Sequence, residues 1–193
     1  MPDLMPYLYG EREGKVVGIT LDDGYRNNLQ HALPVLQECG FTATCYVMSD
    51  LLGQTNRWDF PQGVLPADLM SADQIRQWVR AGMDIGAHTR SHPRLPMLPD
   101  ALAQQEIAGC KSALENIVER RVAHFCYPFG MFSPQHVTMA RAAGYVSATT
   151  TMRGKVQLGD DLFTLVRVPI VRSTYLAQFL LKIFTSYENQ RPS

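Results

Sequence analysis

The chain has 193 residues, 46% of them hydrophobic, which is enough for one domain around a single buried core and short for two. Eighteen basic residues balance eighteen acidic ones with no run of like charge, which argues against nucleic acid as a partner and for an uncharged or weakly charged ligand. No stretch approaches the about eighteen consecutive apolar residues of a membrane-spanning helix, so no transmembrane segment is expected. Met1-Pro2-Asp3-Leu4-Met5-Pro6-Tyr7 has neither the basic nor the apolar region of a secretion signal. As it stands the chain is expected to be cytoplasmic, and exported or periplasmic if a signal precedes it in the natural protein.

In chain order, Lys15 to Leu21 reads as a buried strand. Tyr25 to Cys39 reads as a helix with apolar positions Leu29, Ala32, Leu33 and Leu36, closed by Gly40, and Phe41 to Met48 as a second strand. After a long loop, Ser71 with Gln74 forms a capping box that starts a helix through Ile75, Trp78 and Val79. Met83 to Ala87 is the third strand. Pro99 opens a longer helix, and Val122 to Cys126 is the next strand. Ser133-Pro134 starts a helix capped by Gly144, Tyr145 to Thr150 follows as a strand, and Phe163 to Ile170 as a sixth. Leu176, Phe179, Leu180, Ile183, Phe184 and Tyr187 then mark a last helix whose apolar stripe is expected to lie in the core. Alternation of short apolar strands with helices argues for an α/β fold of parallel strands, as a barrel-like layer or an open doubly wound sheet. Cys39, Cys45, Cys110 and Cys126 lack any metal-type spacing and are expected as four reduced core thiols.

The informative polar residues fall just past strand ends: Asp22-Asp23, His88 to His92, and Tyr127-Pro128. In barrels and open sheets alike, chemistry gathers at the carboxyl ends of the strands, so these three loops are expected to meet. Carboxylate oxygen and neutral imidazole suit zinc first, and also cobalt or nickel, while two histidines disfavour magnesium and calcium. Three protein ligands and an open position leave one carboxylate over to act as a base. The His-x-x-x-His spacing is not that of a helical zinc protease: Thr89 stands where that motif has Glu, and Pro93 pushes His92 away from α geometry. Trp58, in the long Asn56-Arg57-Trp58-Asp59 loop, is a candidate to stack on a sugar ring or to pin the loop.

Thr20-Leu21-Asp22-Asp23-Gly24-Tyr25, His88-Thr89-Arg90-Ser91-His92 and Cys126-Tyr127-Pro128-Phe129-Gly130 resemble, in order and spacing, the first three motifs of the NodB-type polysaccharide deacetylases, carbohydrate esterase family 4. The resemblance covers roughly residues 15 to 170. It implies a distorted (β/α)7 barrel, a divalent metal, usually zinc, held by Asp23, His88 and His92, and Asp22 as the general base. It also implies that the backbone N–H of Phe129 helps stabilise an oxyanion, and that Tyr127 and Pro128 line the substrate groove. The implied reaction removes acetyl groups from the N-acetylated sugars of a glycan or glycan precursor. Two departures stand out. Cys126 occupies the place of an arginine that orients the base in the family, as in a divergent branch resembling exopolysaccharide-cluster deacetylases. Leu165-Val166-Arg167-Val168-Pro169 lacks the histidine that serves as general acid, with His124 and His136 the remaining downstream histidines. Competing expectations keep the fold but change the substrate to a small amide, cyclic imide or acetyl ester, or make the chain a carbohydrate-binding pseudoenzyme.

Overall fold

The structure, a computed structural model, describes residues 1–190. Six strands, β1 (Ile19–Leu21), β2 (Ala43–Val47), β3 (Asp84–Ala87), β4 (His124–Cys126), β5 (Ser147–Arg153) and β6 (Leu165–Arg167), lie side by side in sequence order, each parallel to the next. Between and around them run α1 (Met5–Leu8), α2 (Leu33–Glu38), α3 (Ala72–Arg80), α4 (Asp100–Val118), α5 (Pro134–Ala142) and α6 (Leu176–Phe184). A sheet in strict sequence order has no switch point of a doubly wound fold, so the choice left open by the sequence falls to a distorted (β/α) barrel. Six strands, not seven, are formed among the described residues, and the sheet curls as a half-barrel.

The strands are shorter than their apolar runs. In the first, Lys15 to Gly18 stay exposed outside β1, with Val17 at 63%, because that edge has no strand partner to satisfy a longer ladder. β2, by contrast, is buried at all five positions, as expected of a parallel strand covered on both faces. Its alternation separates two apolar layers. Cys45 and Val47 join the large cluster between sheet and helices, whereas Tyr46 points to the other face with Met1, Cys126 and Leu165. Gly86 sits opposite Tyr46 in the register, and a Cβ there would lie 2.3 Å from the tyrosine ring, so glycine is required to let that ring fill the barrel.

The capping box is present at α3, with Gln74 N–H donating to Ser71 Oγ (3.3 Å) and Ser71 N–H to Gln74 Oε1 (2.9 Å). Two expectations are corrected. Three of the cysteines are buried thiols, but Cys39 is exposed just beyond the end of α2. The stripe of α6 is not core: Leu176 is 73% and Phe184 71% exposed, while Lys182, the one charged residue of the helix, is 4% exposed. A polar lock decides that orientation. Lys182 Nζ donates to Glu188 Oε1 (2.6 Å) and Pro169 O (2.9 Å), and Arg153 donates twice to the same buried Glu188 carboxylate (2.9 and 3.1 Å).

Candidate metal and acid–base site

Three strand ends supply the site, and each turns away from its strand through left-handed backbone. Past β1, Asp23 has φ 70° and Gly24 φ 68°, and a Cβ on Gly24 would lie 2.7 Å from Val47 Cγ1. Past β3, Thr89 has φ 65° and His92 φ 60°; past β4, Phe129 has φ 57°. Among the described residues, four of the five non-glycine residues with positive φ therefore belong to these loops, and such strain persists where surrounding contacts over-determine it.

The loops bring Asp23, His88 and His92 together. Asp23 Oδ1 is 3.4 Å from each imidazole Nε2, and the two Nε2 atoms are 3.2 Å apart. Tetrahedral zinc with ligands at about 2.0–2.1 Å places its donor atoms about 3.3 Å from one another, so this triangle has the dimensions of such a site. His88 Nδ1 donates to the Cys126 carbonyl at 2.7 Å, which fixes the ring and leaves Nε2 as the donor atom, the arrangement usual for a metal-ligating histidine. His92 is held differently. Its Nδ1 is buried without a partner, and its ring is flanked by Trp58 (centroids 4.5 Å, 36°) and Phe129 (4.6 Å, 65°). Burial opposes charge on His88, but Cys126 and Asp23 outweigh it and hold its pKa above the ordinary histidine range. His92 is driven down to about 3, by burial first and then by His88. The opposite directions of the two shifts leave His92 the more readily neutral ring, the form in which a histidine can ligate a cation.

Asp22 stands outside this triangle, and its partner was missed by sequence reasoning. Arg167, at the end of β6, donates from Nη1 to Asp22 Oδ1 and from Nη2 to Asp22 Oδ2, both at 2.7 Å. The remaining donors of the guanidinium go to Thr150 O (2.8 Å), Thr20 Oγ1 (3.2 Å) and Cys126 Sγ (3.5 Å), so all five N–H groups are used. The arginine reaches from β6 to the residues following β1 and lies beside the small Cys126 side chain, the position at which the family resemblance expects an arginine. Two signals could have found it: the cysteine in the arginine's place, and a lone arginine in the apolar run Leu165 to Pro169. Burial would raise the Asp22 pKa, but the Arg167 hydrogen bonds and charge outweigh it, with help from the two histidines, and hold it below the usual carboxylate range.

The remaining predicted residues divide. Phe129 is 36% exposed and Trp58 half-buried, both against His92, so Trp58 pins the long loop onto the site. That loop is clasped by buried Asn56, whose side chain bridges Ala67 N (2.7 Å) and Leu65 O (3.3 Å). Tyr127 and Pro128 do not line a groove: both are buried, with Tyr127 stacked on Phe132 (4.6 Å) and its hydroxyl donating to Phe163 O (3.1 Å). Gly130 (φ 65°) completes the turn, and a Cβ there would meet Thr151 Oγ1 at 1.9 Å. His124 faces Ser147 Oγ (2.9 Å) and His136 caps α5 by accepting from Ser133 N (2.9 Å), so neither is turned to the site.

Residues 9–148 match the family model described as polysaccharide deacetylase. The chain belongs to the polysaccharide deacetylase family. The Bacillus subtilis (strain 168) protein YxkH, assigned by name to the same family, is 28% identical over 156 residues, which are 81% of this chain and 52% of that protein. The chain thus spans about half the length of this curated relative. Among solved structures, the Streptococcus pyogenes deacetylase PplD, in complex with acetate, shares the fold with a TM-score of 0.81 at 22% identity, covering 95% of this chain and 78% of that one. BC0361, a polysaccharide deacetylase from Bacillus cereus, matches with a TM-score of 0.72 at 27% identity, covering 94% of this chain and 60% of that one. The family assignment and the half-barrel agree: this is the NodB-type barrel.

Proposed function

We propose that residues 1–193 form a single catalytic domain that removes acetyl groups from N-acetylated sugars of a poly- or oligosaccharide, with a divalent cation held by Asp23, His88 and His92. The observation that carries this reading is the triangle of three donor atoms 3.2–3.4 Å apart, with an ionised carboxylate beside it that is not one of the three. The nitrogen and oxygen donor set suits zinc, and cobalt or nickel next. When bound, the cation would lower the pKa of a water and polarise the acetyl carbonyl.

The protein's own share of the chemistry follows from the side chains. Asp22 is ionised and gripped on both oxygens by Arg167, with the Cys126 thiol also facing Oδ2 (3.9 Å), and Oδ1 keeps a further lone pair that can accept the proton of the attacking water. Because all five guanidinium donors are committed, the carboxylate is oriented before substrate arrives. On this reading the backbone N–H of Phe129, in its left-handed turn, would serve the developing oxyanion, and Trp58 and Phe129, both against His92, would offer the apolar faces for a sugar ring.

The test combines metal analysis by mass spectrometry with an acetate-release assay on N-acetylated oligosaccharides, acetylated xylan and small amides. Asp22→Asn is expected to lower turnover by about 10²–10⁴-fold with metal content unchanged. Release from small amides alone would redirect the reading to another amidase on the same barrel. Glycan binding with no release from any substrate would redirect it to a pseudoenzyme.

A further inference from the structure

We infer that Glu106, on the outer helix α4, is a positioning residue that sets the metal affinity of the site by holding the loop between the two histidines in its strained form. The inference rests on the reading of Asp23, His88 and His92 as ligands. His88 and His92 are separated by Thr89, Arg90 and Ser91, and two residues of this loop, Thr89 and His92, adopt left-handed backbone that side-chain-bearing residues seldom take. Unless something outside the loop holds it, the segment would relax and the two Nε2 atoms would part.

The inner half is tied locally. His92 N–H donates to Thr89 Oγ1 at 3.1 Å, and Thr89 Oγ1 donates to His88 O at 2.5 Å. The outer half is held by one carboxylate. Glu106 Oε2 accepts from the backbone N–H groups of Arg90 (2.8 Å) and Ser91 (2.9 Å), and Oε1 accepts from Ser91 Oγ (2.7 Å). One turn further along α4, Gly109 leaves room for the Arg90 side chain, whose Cδ is 3.0 Å from where a Cβ would stand. Arg90 is fixed in turn by Asp50, with Nε to Oδ2 at 2.9 Å and Asp50 N–H to Arg90 O at 3.0 Å. The helix therefore grips the backbone at Arg90 and Ser91, between the histidines, while both imidazole Nε2 atoms lie against Asp23. None of these contacts places Glu106 against a donor atom, so its effect passes through the loop. Partners that orient ligands in this way are typically worth about 10–100-fold in metal affinity.

The experiment is a zinc competition titration against a chromophoric chelator on the full chain, read beside thermal unfolding of the metal-free protein. Glu106→Ala is expected to weaken zinc binding by about 10–100-fold. Glu106→Gln, whose amide can still accept from both N–H groups and donate to Ser91 Oγ, is expected to stay nearer the wild type. Ser91→Ala, which removes one of the three bonds at a solvent-facing position, gives a smaller weakening in the same direction and keeps the test decisive should Glu106→Ala misfold. Unchanged zinc affinity in Glu106→Ala, or in Ser91→Ala should Glu106→Ala misfold, overturns the assignment even if unfolding temperatures fall. A wild-type chain that binds no zinc overturns the metal reading, and the role of Glu106 with it.

Discussion

At the scale of single residues, the base and its arginine carry the account. Asp22 has its pKa held down chiefly by Arg167, whereas burial alone would raise it. Replacing Arg167 by Met removes the lowering influence and leaves the burial. The acidic limb of the pH–rate profile, which reports the base losing its proton, should therefore move to higher pH in Arg167→Met, with lower activity at every pH below neutrality. A limb that stays in place would show that Arg167 does not govern Asp22. Much of this site was legible: Asp22, Asp23, His88 and His92 could be read from residue type and from their position after strand-like runs. Arg167 was not, because its partner lies about 145 residues away in sequence, and a lone arginine in the run Leu165 to Pro169 does not by itself say which carboxylate it meets. Tyr127 and Pro128 were misplaced for a related reason. They follow a strand end, but the chain turns at Phe129, one residue later than a groove-lining Tyr127 would need, and the ring drops into the core.

At the scale of elements, the order of strands and helices followed from alternating apolar runs and from the capping signals at Ser71 and Ser133, whereas strand lengths did not, because pairing and not hydropathy ends a strand. The last helix shows the limit most clearly. Its periodicity predicts a buried stripe, yet the single lysine is turned inward by Glu188 and the leucines outward. Breaking a buried pair by removing one partner strands the other charge. Glu188→Ala is expected to cost about 3 kcal/mol by that mechanism, an unfolding temperature lower by about 6–12 °C for a chain of this size. Calorimetry that finds no loss would mean that the lock is not what orients α6. The same carboxylate gives a pH dependence. Its hydrogen bonds with Arg153 and Lys182, outweighing burial, depress the pKa of Glu188 in the folded state, so its stabilisation is present above the unfolded value of about 4.3 and is lost as pH falls through the lower folded value. Urea midpoints should accordingly fall below about pH 4, and more steeply in the wild type than in Glu188→Ala.

At the scale of the whole molecule, the barrel is joined across its seam by the side chain that also grips Asp22, so the ends of β1, β4 and β6 meet at Asp22, Cys126 and Arg167. A cation bound by Asp23, His88 and His92 would tie the loops after β1 and β3 in the same way. Anything that binds the folded chain alone stabilises it by mass action, by about 2.7 kcal/mol at a hundredfold excess over Kd. Chelation is expected to lower the unfolding temperature by about 5–10 °C, and added zinc to restore it. In His92→Ala the same treatment should change little, because one corner of the triangle is missing. No helix among the described residues is long and apolar enough to cross a membrane.

The most direct measurement of the central claim is acetate release from an N-acetylated oligosaccharide by zinc-loaded wild type and Asp22→Asn, with bound metal quantified in the same samples. The account predicts one equivalent of metal in both, with release by the wild type and almost none by the variant. Equal release by the two proteins, or loss of the metal together with the aspartate, would contradict the assignment of Asp22 as a base standing apart from the metal ligands.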